Sequence, residues 1–193
     1  MLKKISLIAF LLVTSLLSSE RDSFGININK DDVEVEGREE IGRLLDSQLY
    51  SNIFIDGNFL NSAENLYGIG LSVENSLLTN YNLILNVGLR GVFSSHNDKD
   101  FSAAPIMLGL KTKLFSGDVP TTYLGAKAAY APSALTFQEA DEYKEYRVEV
   151  DSDIIPNINI YAGYRNIDTD YKNKTYNLND SFYAGFKFVL DPR

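Results

Sequence analysis

Hydrophobic and polar residues alternate with a period of two along most of the chain. Seven segments carry apolar residues at every second position, and small, polar or charged residues between them. The segments are Tyr67–Val73, Leu83–Leu89, Ile106–Leu110, Leu124–Tyr130, Tyr146–Val150, Ile158–Tyr164 and Phe182–Leu190. This period is typical of β-strands that have one apolar face. The pattern therefore predicts an all-β protein.

The charges next to these segments lie on the opposite faces of the predicted strands. None of the seven apolar sets contains a charged residue. The opposite faces carry Arg90, Lys111, Lys113, Lys127, Glu145, Arg147, Glu149, Arg165 and Lys187. In a soluble barrel these charges would face solvent, whereas in an outer-membrane barrel they would line the lumen and the apolar sets would face lipid. The period alone does not separate these two arrangements.

Strand length favours the membrane arrangement. The ranges Tyr81–Ser94, Ser102–Phe115 and Leu178–Leu190 are each long enough for a tilted strand that crosses a bilayer, which takes about 9–11 residues. Strands of soluble proteins usually have about five or six.

The predicted connections favour the membrane as well, because they alternate in length. The shorter ones are Asp46–Ser47, Asn75–Asn80, Ser116–Pro120 and Ser152–Pro156, and the longer ones are Asn61–Asn65, Ser95–Asp100, Pro132–Asp141 and Asn166–Asn177. Outer-membrane barrels have short periplasmic turns and longer external loops. The nine charged residues are therefore predicted to line the lumen of a transmembrane antiparallel up-and-down β-barrel.

The strand count depends on the N-terminal part of the chain. Val33–Glu36 begins as a strand, but residues 37–45 carry charges on both faces and are also compatible with a helix. If this segment is a strand, the barrel has ten strands; without the first hairpin it has eight. Both counts are even, so both termini are expected on the periplasmic side.

The first nineteen residues resemble a secretory signal peptide, with Lys3 and Lys4 before a short apolar run that ends in Ser18 and Ser19. Residues 20–193 would then form the barrel domain in the cell outer membrane. Cleavage would change the net charge from −8 to −10, and so acidic a chain is not expected to bind nucleic acid. The chain has no cysteine, which excludes disulfides and thiolate metal sites.

Candidate catalytic chemistry is confined to one predicted loop. His96 lies near Asp98 and Asp100, and a histidine beside a carboxylate can act as a general base. A solvated loop histidine is the preferred interpretation. Asp168 and Asp170 could offer oxygens to Ca²⁺, but they lack the spacing of a complete calcium loop. We therefore predict no enzyme, no metal site and no cofactor.

Blocks of residues in the second half of the chain resemble a known family. They are Tyr130–Phe137, Ala140–Arg147, Ile160–Tyr171 and Asp180–Phe186, with Phe24–Asn29 and Tyr123–Ala126 fitting the same pattern. In order and spacing they are similar to the YfaZ family of Gram-negative outer-membrane proteins. The resemblance implies a small outer-membrane barrel, and it implies no catalytic motif.

The functional hypothesis is a monomeric barrel that acts as a structural protein or as a narrow porin-like channel with a charged lumen. The alternatives are an outer-membrane surface enzyme that depends on His96 and a soluble periplasmic barrel that binds a small ligand. The expected partners are outer-membrane lipid, lipopolysaccharide and the barrel assembly machinery. The last of these is expected because the final strand alternates aromatic residues at Phe182, Phe186 and Phe188.

Overall fold

The structure is a computed structural model that describes residues 22–45, 50–77, 83–96, 99–115, 117, 119–171 and 174–190. The predicted signal peptide, residues 1–19, lies outside the described residues. Within the described part of the chain, no helix is long and apolar enough to cross a membrane. Apart from one short 3₁₀ helix, Ser133–Leu135, all the regular structure is β. The prediction of an all-β protein is confirmed.

The chain forms twelve strands, most of them long. They are β1 (Asp22–Ile28), β2 (Val33–Leu45), β3 (Tyr50–Asn61), β4 (Asn65–Ser76), β5 (Leu83–His96), β6 (Lys99–Ala103), β7 (Ile106–Phe115), β8 (Thr122–Ala131), β9 (Thr136–Gln138), β10 (Glu142–Ile155), β11 (Ile158–Tyr171) and β12 (Lys174–Leu190). All the pairings are antiparallel.

Ten of these strands close into a ring. Each pairs with its neighbours in chain order from β1 to β5, then through β7, β8, β10 and β11 to β12, which pairs with β1. The short strands β6 and β9 lie outside the ring order, where β6 pairs with the end of β5 and β9 pairs with β6. The predicted barrel of ten strands is confirmed, and the count of eight is wrong.

The barrel has two different ends. We call the end at which β1 begins and β12 ends the terminal end, and the opposite end the distal end. The connections at the terminal end are 46–49, 77–82, 116–121 and 156–157. Those at the distal end are 29–32, 62–64, 97–98, 132–141 and 172–173. Only the connection 132–141 is long, and it contains the 3₁₀ helix and β9.

The apolar faces of the ring strands point outward. Leu108 and Phe186 expose 52% and 41% of their surface, whereas the side chains of Arg147 and Lys187 expose only 10% and 19%. In a water-soluble barrel the burial of apolar and charged residues would be the reverse. The arrangement matches the membrane interpretation of the alternating pattern.

The distal end has an apolar core inside the barrel, which we call the apolar cap. Its larger members come from seven different strands, and all of them are buried. They are Leu60, Leu66, Val92, Phe101, Tyr143, Ile167, Tyr171 and Leu178. The rings of Phe101 and Tyr171 meet edge to face, with centroids 6.3 Å apart. This end of the barrel is therefore filled by close-packed side chains.

The predicted long loop Asn166–Asn177 is wrong, because β11 continues to Tyr171 and β12 begins at Lys174. The outward residues here, such as Asp168 and Asp170, are polar and resemble a loop in the sequence. The residues between them, Ile167, Thr169 and Tyr171, face inward and are buried. The strand therefore continues while the polarity of its two faces is exchanged.

The uncertain segment 37–45 is a strand, as part of β2. The ladder to β3 shifts by one residue between Glu40 and Gly42, which marks a β-bulge. A bulge moves the following side chains to the other face of a strand. The shift returns Arg43 to the same face as Arg38 and Glu40, whereas Glu39 lies on the other face, in register with Ile55.

Candidate functional site

The interior of the barrel is the candidate site, and contacts between strands that are not neighbours define it. Arg147 on β10 donates two hydrogen bonds to the carboxylate of Glu34 on β2, at 2.8 and 2.9 Å. Three ring strands separate β10 from β2 on the shorter path around the barrel. Arg165 on β11 binds the same carboxylate. These side chains therefore meet across the interior.

A second set of contacts joins the opposite wall. Arg90 on β5 lies 3.3 Å from a carboxylate oxygen of Glu145 on β10 and also donates to Asn58 on β3. Arg147 donates to the other Glu145 oxygen at 2.5 Å. The hydroxyl of Tyr143, a member of the apolar cap, donates to Glu145 at 2.7 Å. We call Glu34, Arg90, Glu145, Arg147 and Arg165 the central cluster.

The central cluster is buried, and each of its ionic groups has a partner of opposite charge. The side chains of Glu34 and Arg165 expose 0% of their surface, and those of Arg90 and Glu145 expose 9% and 4%. A buried charge needs a close partner, because removal of one partner leaves the other without compensation. Three arginines share two carboxylates here, and Asn27 and Asn179 supply further hydrogen bonds to Glu34 and Arg165. The bonded side chains of the cluster connect β2, β5, β10 and β11 across the interior.

Inward side chains between the central cluster and the terminal end differ in exposure. One ionic group joins Lys187 to Glu36 and Glu149, at 3.4 and 3.7 Å, with side-chain exposures of 19–23%. Nearer the terminal end, Lys111 lies 2.7 Å from Asp151, and its side chain is 38% exposed whereas that of Asp151 is 8% exposed. The lysine is therefore accessible while the carboxylate that it binds is buried.

The nine charged residues that the sequence predicted to line the lumen occupy inward positions of their strands. Seven of them form ion pairs: Arg90, Lys111, Glu145, Arg147, Glu149, Arg165 and Lys187. Lys113 and Lys127 form no ion pair with any described residue. Lys113 and Lys111 both lie over the ring of Tyr123, with the ammonium 5.9 and 4.3 Å from the centroid. Whether these charges select a solute stays a prediction.

Sequence reasoning missed the acidic partners on β2 and β4. Glu34 and Glu36 alternate with Val33 and Val35, so the same period of two could have identified them. The β-bulge later in β2 hid this strand. Glu74, which binds Arg38 at 2.9 Å, was missed because it follows an apolar set whose opposite face is otherwise glycine and serine.

Glycines on the inner face make room for the large side chains. A Cβ atom at Gly25 would lie 2.8 Å from an oxygen of Glu36, and one at Gly163 would lie 2.8 Å from the ring of Tyr183. Real side chains do not tolerate such contacts. Small residues next to large ones therefore allow a ten-stranded barrel to enclose so many long side chains.

Asp32, in the distal connection between β1 and β2, contacts the central cluster from its distal side. Its carboxylate accepts hydrogen bonds from Asn29 at 2.6 Å and from Asn179 at 2.8 Å, and it lies 3.9 Å from Arg165. Burial acts to raise the pKa of Asp32, but hydrogen bonds led by that of Ser62 outweigh burial and hold the pKa below its usual value. The carboxylate is therefore ionised at neutral pH.

The catalytic hypothesis depends on side chains that lie outside the described part of the structure. His96 ends β5, but its side chain lies outside the described part of the structure, as does Asp98. Asp168 accepts a hydrogen bond from Asn177 at 2.8 Å. Among the described residues, no three histidine or carboxylate side chains are grouped so that they could hold a metal ion.

Comparison with protein families gives one match. The family model described as "YfaZ precursor" matches residues 2–190, nearly the whole chain. No protein with curated annotation is similar enough in sequence to count as a relative.

Comparison with solved structures finds membrane proteins of low similarity. One is titled "Bacterial polysaccharide outer membrane secretin", with a TM-score of 0.49, 10% identity, and coverage of 89% of this chain and 68% of that chain. Another is the outer membrane channel DcaP of Acinetobacter baumannii, with a TM-score of 0.41, 7% identity, and coverage of 86% and 62%.

Proposed function

Because the chain belongs to the YfaZ family and forms a ten-stranded barrel with an apolar outer surface, we propose that it is an outer-membrane barrel with a closed interior. In this proposal the protein is a structural component of the membrane and not an open porin. The terminal end faces the periplasm and the distal end faces the outside. The observation that carries the proposal is the buried central cluster beneath the apolar cap.

The outer surface supports the membrane part of the proposal. Aromatic residues form a band around several strands on the distal side of the apolar belt, and Tyr67, for example, pairs with Phe59 and Phe93 in register. Tyr164 and Phe182 continue this band, with ring centroids 5.1 Å apart. Aromatic girdles of this kind lie at the membrane–water interface of β-barrels. The soluble ligand-binding barrel would need to expose this whole surface to water.

The number of strands supports the closed interior. About eight strands leave an interior that side chains fill, whereas open aqueous channels are found at about sixteen. Ten strands lie close to the lower limit. The long arginine, glutamate and tyrosine side chains of this barrel meet across that width, as the bond between Arg147 and Glu34 demonstrates.

The partners follow from the same proposal. The outward residues Phe182, Phe186 and Phe188 make β12 an aromatic final strand, which is the kind of segment expected to engage the barrel assembly machinery. Lipid and lipopolysaccharide would surround the belt. Since the ring closes on itself, the barrel needs no second copy to satisfy its strands, and we propose a monomer.

Two measurements test the proposal. The mature protein should sediment with outer membranes and change its mobility on a gel when it is left unheated. In planar bilayers it should give no single-channel steps, while an open porin in the same bilayers serves as the positive control. Steady steps would contradict the closed interior, and release from cells without detergent would contradict the membrane location.

A further inference from the structure

Two inward lysines between the central cluster and the terminal end, Lys111 and Lys127, are partly exposed, and we call the space that they line the vestibule. We propose that the vestibule is a blind pocket, entered from the periplasm, that binds small anions carrying a carboxylate or phosphate group, with Lys127 as the innermost contact. This inference rests on the closed interior proposed above.

Three lysines line one wall of the vestibule. Lys113 and Lys111 occupy successive inward positions of β7, and Lys127 lies on the adjoining strand, β8. The register pairs Lys111 with Gly125, the inward residue that precedes Lys127 by two positions. The lysines therefore lead in steps from the mouth of the vestibule toward the central cluster, and we call them the lysine ladder.

Lys127 is the least satisfied member of the ladder. It is exposed although it occupies an inward position, and within the described residues no carboxylate forms an ion pair with it. The acidic groups that attract its charge most strongly are Glu36 and Glu149. These two already share Lys187 and accept hydrogen bonds from Tyr161 at 3.2 Å and Tyr183 at 3.1 Å. Lys127 is therefore left without an ion-pair partner among the described residues.

This arrangement favours a small anion. An ammonium group in a narrow, low-dielectric space attracts negative charge more strongly than the same group in bulk water. Carboxylates also face this space, but Glu36, Glu149 and Asp151 are paired with Lys187 and Lys111. The cations that they leave unpaired within the described ranges, Lys113 and Lys127, can raise the local concentration of small anions. Since the central cluster closes the inner end, the ligand can enter and leave only at the mouth.

Single cysteines can report on this pocket, because the natural chain contains none. Gly125→Cys places a thiol between Lys111 and Lys127, and a Cβ atom there would meet its nearest neighbours at 3.8 Å, an ordinary contact. Ser133→Cys in the exposed distal connection is the solvent reference. Thr169→Cys, which is buried beneath the distal end, reports on entry from that side.

Each thiol is treated, in the folded protein in detergent, with a methanethiosulfonate that carries a sulfonate or a trimethylammonium group. At Gly125→Cys the ratio of anionic to cationic reaction rates should exceed the Ser133→Cys ratio by about 10-fold. Adding Lys127→Gln should lower this ratio several-fold. Millimolar acetate or inorganic phosphate should slow the anionic reagent, and choline chloride should not.

The outcomes separate the two proposals. Protection by only one of acetate and phosphate would identify the anion class, and protection by either supports the pocket. A ratio equal to the Ser133→Cys reference, no effect of Lys127→Gln, or no protection by either anion would overturn it. An unreactive Gly125→Cys would also overturn the vestibule while the closed interior stands. If Thr169→Cys reacts as fast as Ser133→Cys, the closed interior itself fails.

Discussion

Strands β10, β11 and β12 have two halves of opposite polarity. In the half nearer the terminal end, Ile160 and its outward neighbours are apolar, and the inward residues are charged, polar, tyrosine or glycine. In the distal half of β11 the outward residues Asn166, Asp168 and Asp170 are polar, and Ile167 and Tyr171 are buried inside. One continuous strand therefore changes which face is apolar.

The difference teaches that the surroundings, and not the strand itself, decide where apolar side chains go. In the proposed membrane arrangement the outer face of the terminal half meets lipid, so apolar groups lie outside and the interior is polar. Where the outer face meets water, apolar groups form a core, as in a soluble protein. The aromatic residues Tyr146, Tyr164 and Phe182 lie near this change on the three strands, and it marks the expected outer surface of the membrane.

The largest effect is expected at the central cluster. Glu34→Ala should lower the free energy of unfolding by about 3–5 kcal/mol, because it leaves Arg147 and Arg165 buried without their shared carboxylate. Urea unfolding in lipid vesicles would measure this. Glu39→Ala, on the same strand but on the outer face, is the control, and an equal loss in both variants would contradict a special role for the cluster.

Substitutions of two isoleucines on β11 test the difference between its terminal and distal halves directly. Ile167→Ala removes buried atoms from the apolar cap and should cost about 2–5 kcal/mol. Ile160→Ala, in the half that faces lipid, should cost clearly less, because lipid can fill the space. The same unfolding measurement tests both variants. Equal costs would show that Ile160 is packed against protein.

A charged residue introduced on the outer face should cost more stability in the half that faces lipid than in the distal half. Ile160→Arg should cost roughly 2–4 kcal/mol if the side chain lies near the bilayer midplane. Asp168→Arg, at an outward position of the distal half, should change stability far less because water surrounds it. If the two variants are equally stable and assemble equally well, the belt is not in lipid. Leu85→Arg on β5 should repeat the result of Ile160→Arg.

The smallest effect is expected at the mouth of the vestibule. Lys111→Met breaks its ion pair with Asp151, in which the lysine is 38% exposed and the carboxylate 8% exposed. The loss should exceed the roughly 0–1 kcal/mol of a fully exposed pair but stay below that of Glu34→Ala, because only one of the two partners is buried. A loss close to that of Glu34→Ala would show that this region is as buried as the central cluster.

The sequence was sufficient for the barrel and for some of its ionic pairs, such as Arg90 with Glu145. Alternation identified Arg147 and Arg165, because their strands keep one polarity through the terminal half. It could not identify Glu34 as their partner, because contacts across the barrel depend on its closure and width. It also misread residues 166–177 as a loop, since a reversed polarity resembles the end of a strand.

The most direct test of the central claim is a scan of spin labels along β11, one cysteine at a time. Labels at Ile158, Ile160, Ala162 and Tyr164 should be accessible to oxygen and protected from a water-soluble nickel complex. Labels at Asn166, Asp168 and Asp170 should show the reverse. If the first group is as accessible to nickel as the second, the apolar face does not lie in lipid and the account is wrong.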